Sequence, residues 1–268
     1  MVSASAPIGV FDSGLGGLTV VAALRRTMPG ESIVYVGDTA RVPYGPKSPE
    51  TVRRYAREIC GWLRGEGVKA IVVACNTATA HALPDLITFA GVPVIGVVEP
   101  GAEAAVATGA QAIGIIGTSG TIASGAYAKA IWQRAPHLTL VSQACPLFVP
   151  LVEEGWIEHP ATRLIAREYL APLLAAKVGT VVLGCTHYPL LRTVLAEVLG
   201  PEVSLVDSAS ATAAATREVL RAHQLRAPGD GASATLRVVA SDAPEQFLRL
   251  GQRFLGAAIE QVERVTLG

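Results

Sequence analysis

The sequence has no surplus of charge. Its 22 Lys+Arg are matched by 22 Asp+Glu, and only 16% of its residues are charged, against roughly 25% in an average soluble protein. Without a basic excess there is no electrostatic footprint for gripping nucleic acid or an anionic membrane surface. A long apolar run is also missing. The longest charge-free stretch, Ala104–Ala128, is broken by Thr108, Gly109, Gln111, Gly114 and the TSGT run, so it does not read as a membrane span. The opening residues have no basic start, apolar stretch or cleavage site, and so do not read as a signal peptide. Cysteine is scarce: Cys60, Cys75, Cys145 and Cys185 are the only four. None lies in a CxxC pair or a His/Cys cluster of zinc spacing, so no metal is expected. Without a secretion signal, free or catalytic thiols are favoured over a disulfide framework. Lysine is scarcer than arginine, and none of Lys47, Lys69, Lys129 and Lys177 follows a predicted strand. A Schiff-base pyridoxal enzyme is disfavoured on that ground.

What is present is apolar sequence in short pieces. Half of the 268 residues are hydrophobic, which excludes disorder and suffices for one large domain or two small ones. Apolar runs recur at Ile8–Phe11, Ile33–Val36, Ala70–Ala74, Val94–Val98, Ala112–Ile116, Leu138–Val141, Val181–Leu183, Val203–Val206 and Leu236–Val239. Between them lie helical patterns, such as Thr51–Leu63, Ala161–Leu174 and Ala211–Leu220. Continuous apolar strands alternating with helices predict an α/β fold with parallel sheets covered on both faces. The segment 222–234, with Pro228-Gly229-Asp230-Gly231, reads as a surface connection.

A faint internal repeat is superimposed on this pattern. Ile8–Phe11 matches Ile113–Ile116, and Ile33–Val36 matches Leu138–Val141 at the same spacing. The run Ala70–Cys75 resembles Thr180–Cys185, so each half closes on a cysteine. Similar hydrophobic strands can match by chance. Three segments agreeing in order favour two similar lobes that face each other, each presenting one thiol to a shared cleft. The last two strand–helix units, Val203–Leu220 and Leu236–Leu255, fit a chain that returns to the first lobe.

In parallel α/β folds ligands sit beyond the carboxyl ends of the strands, and the residues there are informative. Either cysteine alone reads as a small buried hydrophobe as readily as a reactive group. As a pair at strand ends, each before a predicted helix start, they read as thiols in a field of backbone N–H groups that favours thiolate. Two fixed acid–base groups on opposite faces of one carbon can invert its configuration: one accepts a proton while the other donates one. The loop Asp12-Ser13-Gly14-Leu15-Gly16-Gly17 fits neither a dinucleotide fingerprint nor a P-loop. Asp12 would repel phosphate; it suits an ammonium group or the support of an acid–base group. His187, two residues beyond Cys185, is placed to tune that thiol. Cys60 and Cys145 read as structural, Glu153-Glu154 reads first as an exposed helix end, and His81, His137, His159 and His223 carry no role. Two other classes fit a cleft between lobes. A solute-binding protein is disfavoured by the paired thiols, and a cysteine hydrolase by a histidine so close in sequence.

Taken together, the segments IGVFDSGLGGLTV, YVGDTARVPYGPKS, VACNTATA, VIGVVEPG, IGTSGT, PLFVPLVEEGW and LGCTHYPLL resemble the cofactor-independent glutamate racemases of bacterial cell-wall synthesis. The resemblance runs from Ile8 to Leu191. It implies two similar flavodoxin-like α/β lobes of the aspartate/glutamate racemase type, residues 1–98 with 208–268 and residues 99–207, with the active site between them. It implies interconversion of L- and D-glutamate for peptidoglycan, without pyridoxal phosphate, metal or nucleic acid, in a cytoplasmic protein that often forms homodimers and needs no membrane. By position, Cys75 and Cys185 match the catalytic thiols, Asp12 and His187 their assistants, and Glu153 a further helper. Asp12-Ser13, Tyr44-Gly45, Asn76-Thr77 and Thr186-His187 match substrate-binding pairs, with Thr118 and Thr121 as added contacts. A member acting on aspartate, a hydantoin or a malonate derivative is the nearest alternative. Aspartate and glutamate differ by one methylene.

Overall fold

The computed structural model describes residues 2–228 and 234–268. The Gly229–Gly231 turn expected in the 222–234 connection lies outside the described residues. The described residues form ten strands: β1 (Ile8–Asp12), β2 (Ile33–Gly37), β3 (Ala70–Val73), β4 (Val94–Gly96), β5 (Ala112–Gly117), β6 (Thr139–Ala144), β7 (Thr180–Gly184), β8 (Ser204–Asp207), β9 (Leu236–Ala240) and β10 (Val262–Arg264). Among the described residues eleven α-helices connect or follow them: α1 (Leu18–Thr27), α2 (Pro49–Gly65), α3 (Asn76–Ala90), α4 (Val98–Val106), α5 (Ser119–Ala123), α6 (Ala126–Arg134), α7 (Phe148–Glu153), α8 (Pro160–Ala175), α9 (Arg192–Leu199), α10 (Ser208–Ala222) and α11 (Pro244–Leu255).

The strands form two parallel sheets, β10-β9-β2-β1-β3-β4 and β6-β5-β7-β8. The order β2-β1-β3-β4 recurs as β6-β5-β7-β8, as the repeat in the sequence predicts. The register agrees for the thiol-bearing strands: Ile8 pairs with Ala70, and Ile113 with Thr180. It departs for the other pair. Ile8 faces Ile33, but Ile113 faces Leu140, two residues beyond the Leu138 that equal spacing requires. The cause is local. β6 is a half-exposed edge strand in which Ser142 is exposed and Gln143 only partly buried, so its apolar letters stop before the strand does. A shift of two keeps the same side chains facing the core.

The central strands β1, β2, β3, β5 and β7 are buried on both faces, and helices supply the cover. α2 shows why its sequence is helical: Ser48 accepts from the Thr51 N–H at 3.3 Å as N-cap, Pro49 occupies the first turn, and Val52, Ala56, Ile59, Cys60 and Leu63 form one buried stripe. Burial of each large member of that stripe contributes about 1.5–3 kcal/mol. Cys60 is thus a core residue, with its thiol pushed up to about 11, mainly by burial. The chain returns to the first sheet after α10. A fully buried pair, Lys69 with Glu31, anchors that return, because Glu31 also accepts from the Ala227 N–H at 2.9 Å. Among the described residues no helix is long and apolar enough to cross a membrane.

Candidate active site

β3 ends at Val73, and Cys75 follows as the N-cap of α3, its sulfur accepting from the Ala78 N–H at 3.4 Å. β7 ends at Gly184, and Cys185 follows at once. Both sulfur-bearing residues line one cavity, together with Ser13, Tyr44, Gly45, Asn76, Thr77, Thr118, Thr186 and His187. Its volume is about 30 Å³, room for no more than a few water molecules. A larger hollow of about 500 Å³ lies along β9 and β10 but contains no thiol and no histidine. We assign the site by chemistry rather than size.

The two thiols sit in different electrostatic settings. The expectation that both cap helices holds only for Cys75. Cys185 precedes a short 3₁₀ turn, Tyr188–Leu191, and so caps no α-helix. Nor does the cap make Cys75 acidic. Burial pushes its thiol well above the ordinary value and the nearby Asp12 carboxylate adds to this, outweighing the hydrogen bonds from Ala78 and Ser13. Cys75 is therefore held as a thiol.

Beside Cys185 the setting is ionic. His187 places Nδ1 4.0 Å from the Cys185 sulfur, and its Nε2 bonds Glu153 Oε1 at 3.0 Å. Burial pulls the His187 pKa down, but the bonds to Cys185 and Glu153 win and raise it to about 10. His187 is an imidazolium at neutral pH. Glu153, at the end of α7, is not a free helix end: its side chain is 32% exposed and reaches inward to His187. The first lobe grips this histidine. Phe254 of α11 meets its ring edge-on at 5.1 Å between centroids. On another side stands Gly16, where a Cβ would come within 2.6 Å of Nδ1 and 2.1 Å of Thr186 Oγ1. That close approach explains the glycine.

Asp12 closes β1 and stands behind the cavity wall, fully buried. Its Oδ2 accepts from the Gly14 N–H at 3.1 Å, while Oδ1 has no protein partner. Burial raises its pKa despite the nearby His187 cation. Tyr44 lines the site and donates to Asp38, a fully buried carboxylate that also accepts from Arg41 Nε at 2.7 Å and from Ser241 at 2.9 Å. Thr77 joins Thr118 and Thr121 across the lobes in a triangle of hydroxyl contacts of 2.9–3.1 Å. Gly120 N–H donates to the Gly45 carbonyl at 2.9 Å, and His81 bonds the Gly120 carbonyl. His81, without a role in the sequence analysis, joins this bridge, which forms only where the two lobes meet. Asp38 was also overlooked, although it directly follows a strand. Cys145 is buried beneath the site in the core. Among the described residues no group of three or more His, Cys, Asp or Glu could hold a metal ion.

Fold and site together define a class: a two-lobe α/β protein that brings one thiol from each lobe to a single enclosed cavity. Comparison with known proteins narrows it. The model of the Asp/Glu/Hydantoin racemase family matches residues 18–216. The chain belongs to that family, a family of isomerases. It is 52% identical to a glutamate racemase of Syntrophus aciditrophicus over 262 residues, 97% of each chain. In structure it is similar to the crystal structure of glutamate racemase isoform RacE1 from Bacillus anthracis, with a TM-score of 0.93 and 39% identity over 97% of each chain. It is also similar to a Francisella tularensis glutamate racemase in complex with D-glutamate, with a TM-score of 0.92 and 35% identity over 98% of each chain.

Proposed function

We propose that the protein interconverts L- and D-glutamate by direct proton transfer between two thiols, with no cofactor, and that its product serves peptidoglycan synthesis in the cytoplasm. One observation carries the reading: Cys75 and Cys185, at equivalent places in two repeated lobes, line the same cavity. The similarity to glutamate racemases supports the substrate. We take residues 1–98 with 208–268 as one unit and 99–207 as the other, and a homodimer as the assembly.

In this mechanism one sulfur, as thiolate, takes the α-proton. The C–H bond breaks and its electron pair delocalises towards the substrate carboxylate. The opposite sulfur, as thiol, delivers a proton to the other face, where the new C–H bond forms. Cys75 is the donor in one direction, since burial holds it as a thiol. Cys185 then accepts, and the imidazolium of His187, backed by Glu153, offsets the negative charge that moves through its side of the cavity. Ser13, Asn76, Thr77, Thr118 and Thr186 offer hydrogen-bond donors to the carboxylates; Tyr44-Gly45 and Thr121 complete the wall and the bridge between lobes. Asp12 supports Cys75 or the substrate ammonium from behind. A cavity of about 30 Å³ is too small for an amino acid, so the lobes part to admit one and close around it.

The test is a chiral assay of the purified protein with each enantiomer of glutamate and of aspartate, with no cofactor added. Interconversion of glutamate is the expected result. Turnover of aspartate alone would overturn the substrate, and α-proton exchange with neither would overturn the activity.

A further inference from the structure

Tyr127 belongs to the second lobe, in α6, yet its hydroxyl ends on a first-lobe side chain: it donates to Asn76 Oδ1 at 2.7 Å. Both residues are buried, at 2% and 3% exposure. Asn76 lines the cavity beside Cys75, and its Nδ2 is buried without a protein partner. An asparagine amide offers an acceptor at one end and two donors at the other, so which end faces the cavity decides what it can bind. Burial raises the Tyr127 phenol pKa and keeps it protonated. The ring fits between two glycines of the sequence motifs. A Cβ at Gly184, one residue before Cys185, would lie 3.1 Å from the ring, and one at Gly101 would lie 3.1 Å from the ring and its hydroxyl. The glycines of VIGVVEPG and LGCTHYPLL thus leave room for this side chain.

We propose that Tyr127 is a positioning residue: by occupying Asn76 Oδ1 from across the cleft, it turns Nδ2 into the cavity as a fixed donor to a substrate carboxylate. The proposal rests on the glutamate reading of the site. It also ties substrate binding to closure, because the donor is oriented only when the second lobe meets the first. A freely rotating amide would present its oxygen to the carboxylate part of the time and repel it.

The test is Tyr127→Phe, which keeps the ring and removes the bond. KM for both enantiomers of glutamate should rise about tenfold, the range expected for a hydrogen bond to a charged group, while kcat changes less than about threefold. Because KM does not depend on the amount of folded enzyme, a role in packing alone would lower Tm and leave KM unchanged, and that result overturns the proposal. Adding Tyr127→Phe to Asn76→Ala should raise KM no further; an equal rise in both backgrounds also overturns it. In the unmutated protein, the Asn76 side-chain amide resonance should shift when D-glutamate is added, and an unmoved resonance counts against the proposal even if the variant does not fold. The unmutated enzyme is assayed in parallel: if it fails to racemise glutamate, the functional reading fails, whereas normal turnover with an unchanged KM in the variant removes Tyr127 alone.

Discussion

Replacing Glu153 by Gln removes the charge from the second of the two contacts that raise the His187 pKa, the first being Cys185. The amide oxygen can still accept from Nε2, which bonds Glu153 at 3.0 Å, so the variant loses the anion and keeps the shape. A hydrogen bond to a charged group contributes about 1.5–3 kcal/mol and a neutral one about 1 kcal/mol. Glu153 is partly exposed, so solvent screens part of the difference. About 1 kcal/mol remains, somewhat less than one pKa unit. His187, raised to about 10, should therefore titrate roughly 0.5–1 unit lower in the variant. The consequence for stability has a definite sign. A histidine whose pKa is raised on folding stabilises the native state fully below its unfolded pKa of about 6.5, and that stabilisation is lost as pH rises through the folded value. Glu153→Gln should thus be about 1 kcal/mol less stable at pH ~7, with the deficit vanishing by pH ~10.5. NMR titration of the His187 imidazole, with urea unfolding at both pH values, measures both quantities. An unchanged His187 titration, or a stability deficit that does not depend on pH, would refute the ion-pair argument.

Further substitutions probe the remaining parts of the site. Cys75→Ser or Cys185→Ser should each reduce racemisation by about 10²–10⁴-fold, because a hydroxyl is a poor base near neutrality; near-normal turnover in either, by chiral chromatography, would remove the two-thiol mechanism. Asp12→Ala should lower kcat more than it raises KM, and a change confined to KM would make Asp12 a binding residue. Gly16→Ala drives a methyl into Thr186 and His187, and such a displacement should cost about 100-fold in kcat/KM. Steady-state rates close to those of the unmutated protein would show that His187 needs no such placement.

The strands that build the site were legible because parallel strands buried on both faces read as unbroken apolar letters. Ile8–Phe11 and Ala70–Ala74 fall within a residue of β1 and β3. β10 escaped because Val262–Arg264 is a short polar edge strand, and only the first half of β6 was read, as Leu138–Val141, because its later positions are polar or partly exposed. The repeat was legible for the same reason as the strands, and it placed Cys75 and Cys185 in one cavity. What stayed hidden were partnerships between residues far apart in sequence, some across the lobes and some within one. Tyr127 lies in α6 outside every sequence motif, and its partner Asn76 is on the other lobe. Glu153 looked solvated because its bond to His187 crosses from α7 to the loop after β7. The acidity of Cys75 was misjudged because local sequence announces a helix cap but not the burial that outweighs it.

The geometry of the two sulfurs is tested most directly by racemising each glutamate enantiomer separately in deuterated water and stopping at low conversion. If two distinct groups act from opposite faces, deuterium enters the newly formed enantiomer and is nearly absent from the recovered starting one, in both directions. Equal deuterium in recovered substrate and product would mean that a single group serves both faces, and the two-thiol account would be contradicted.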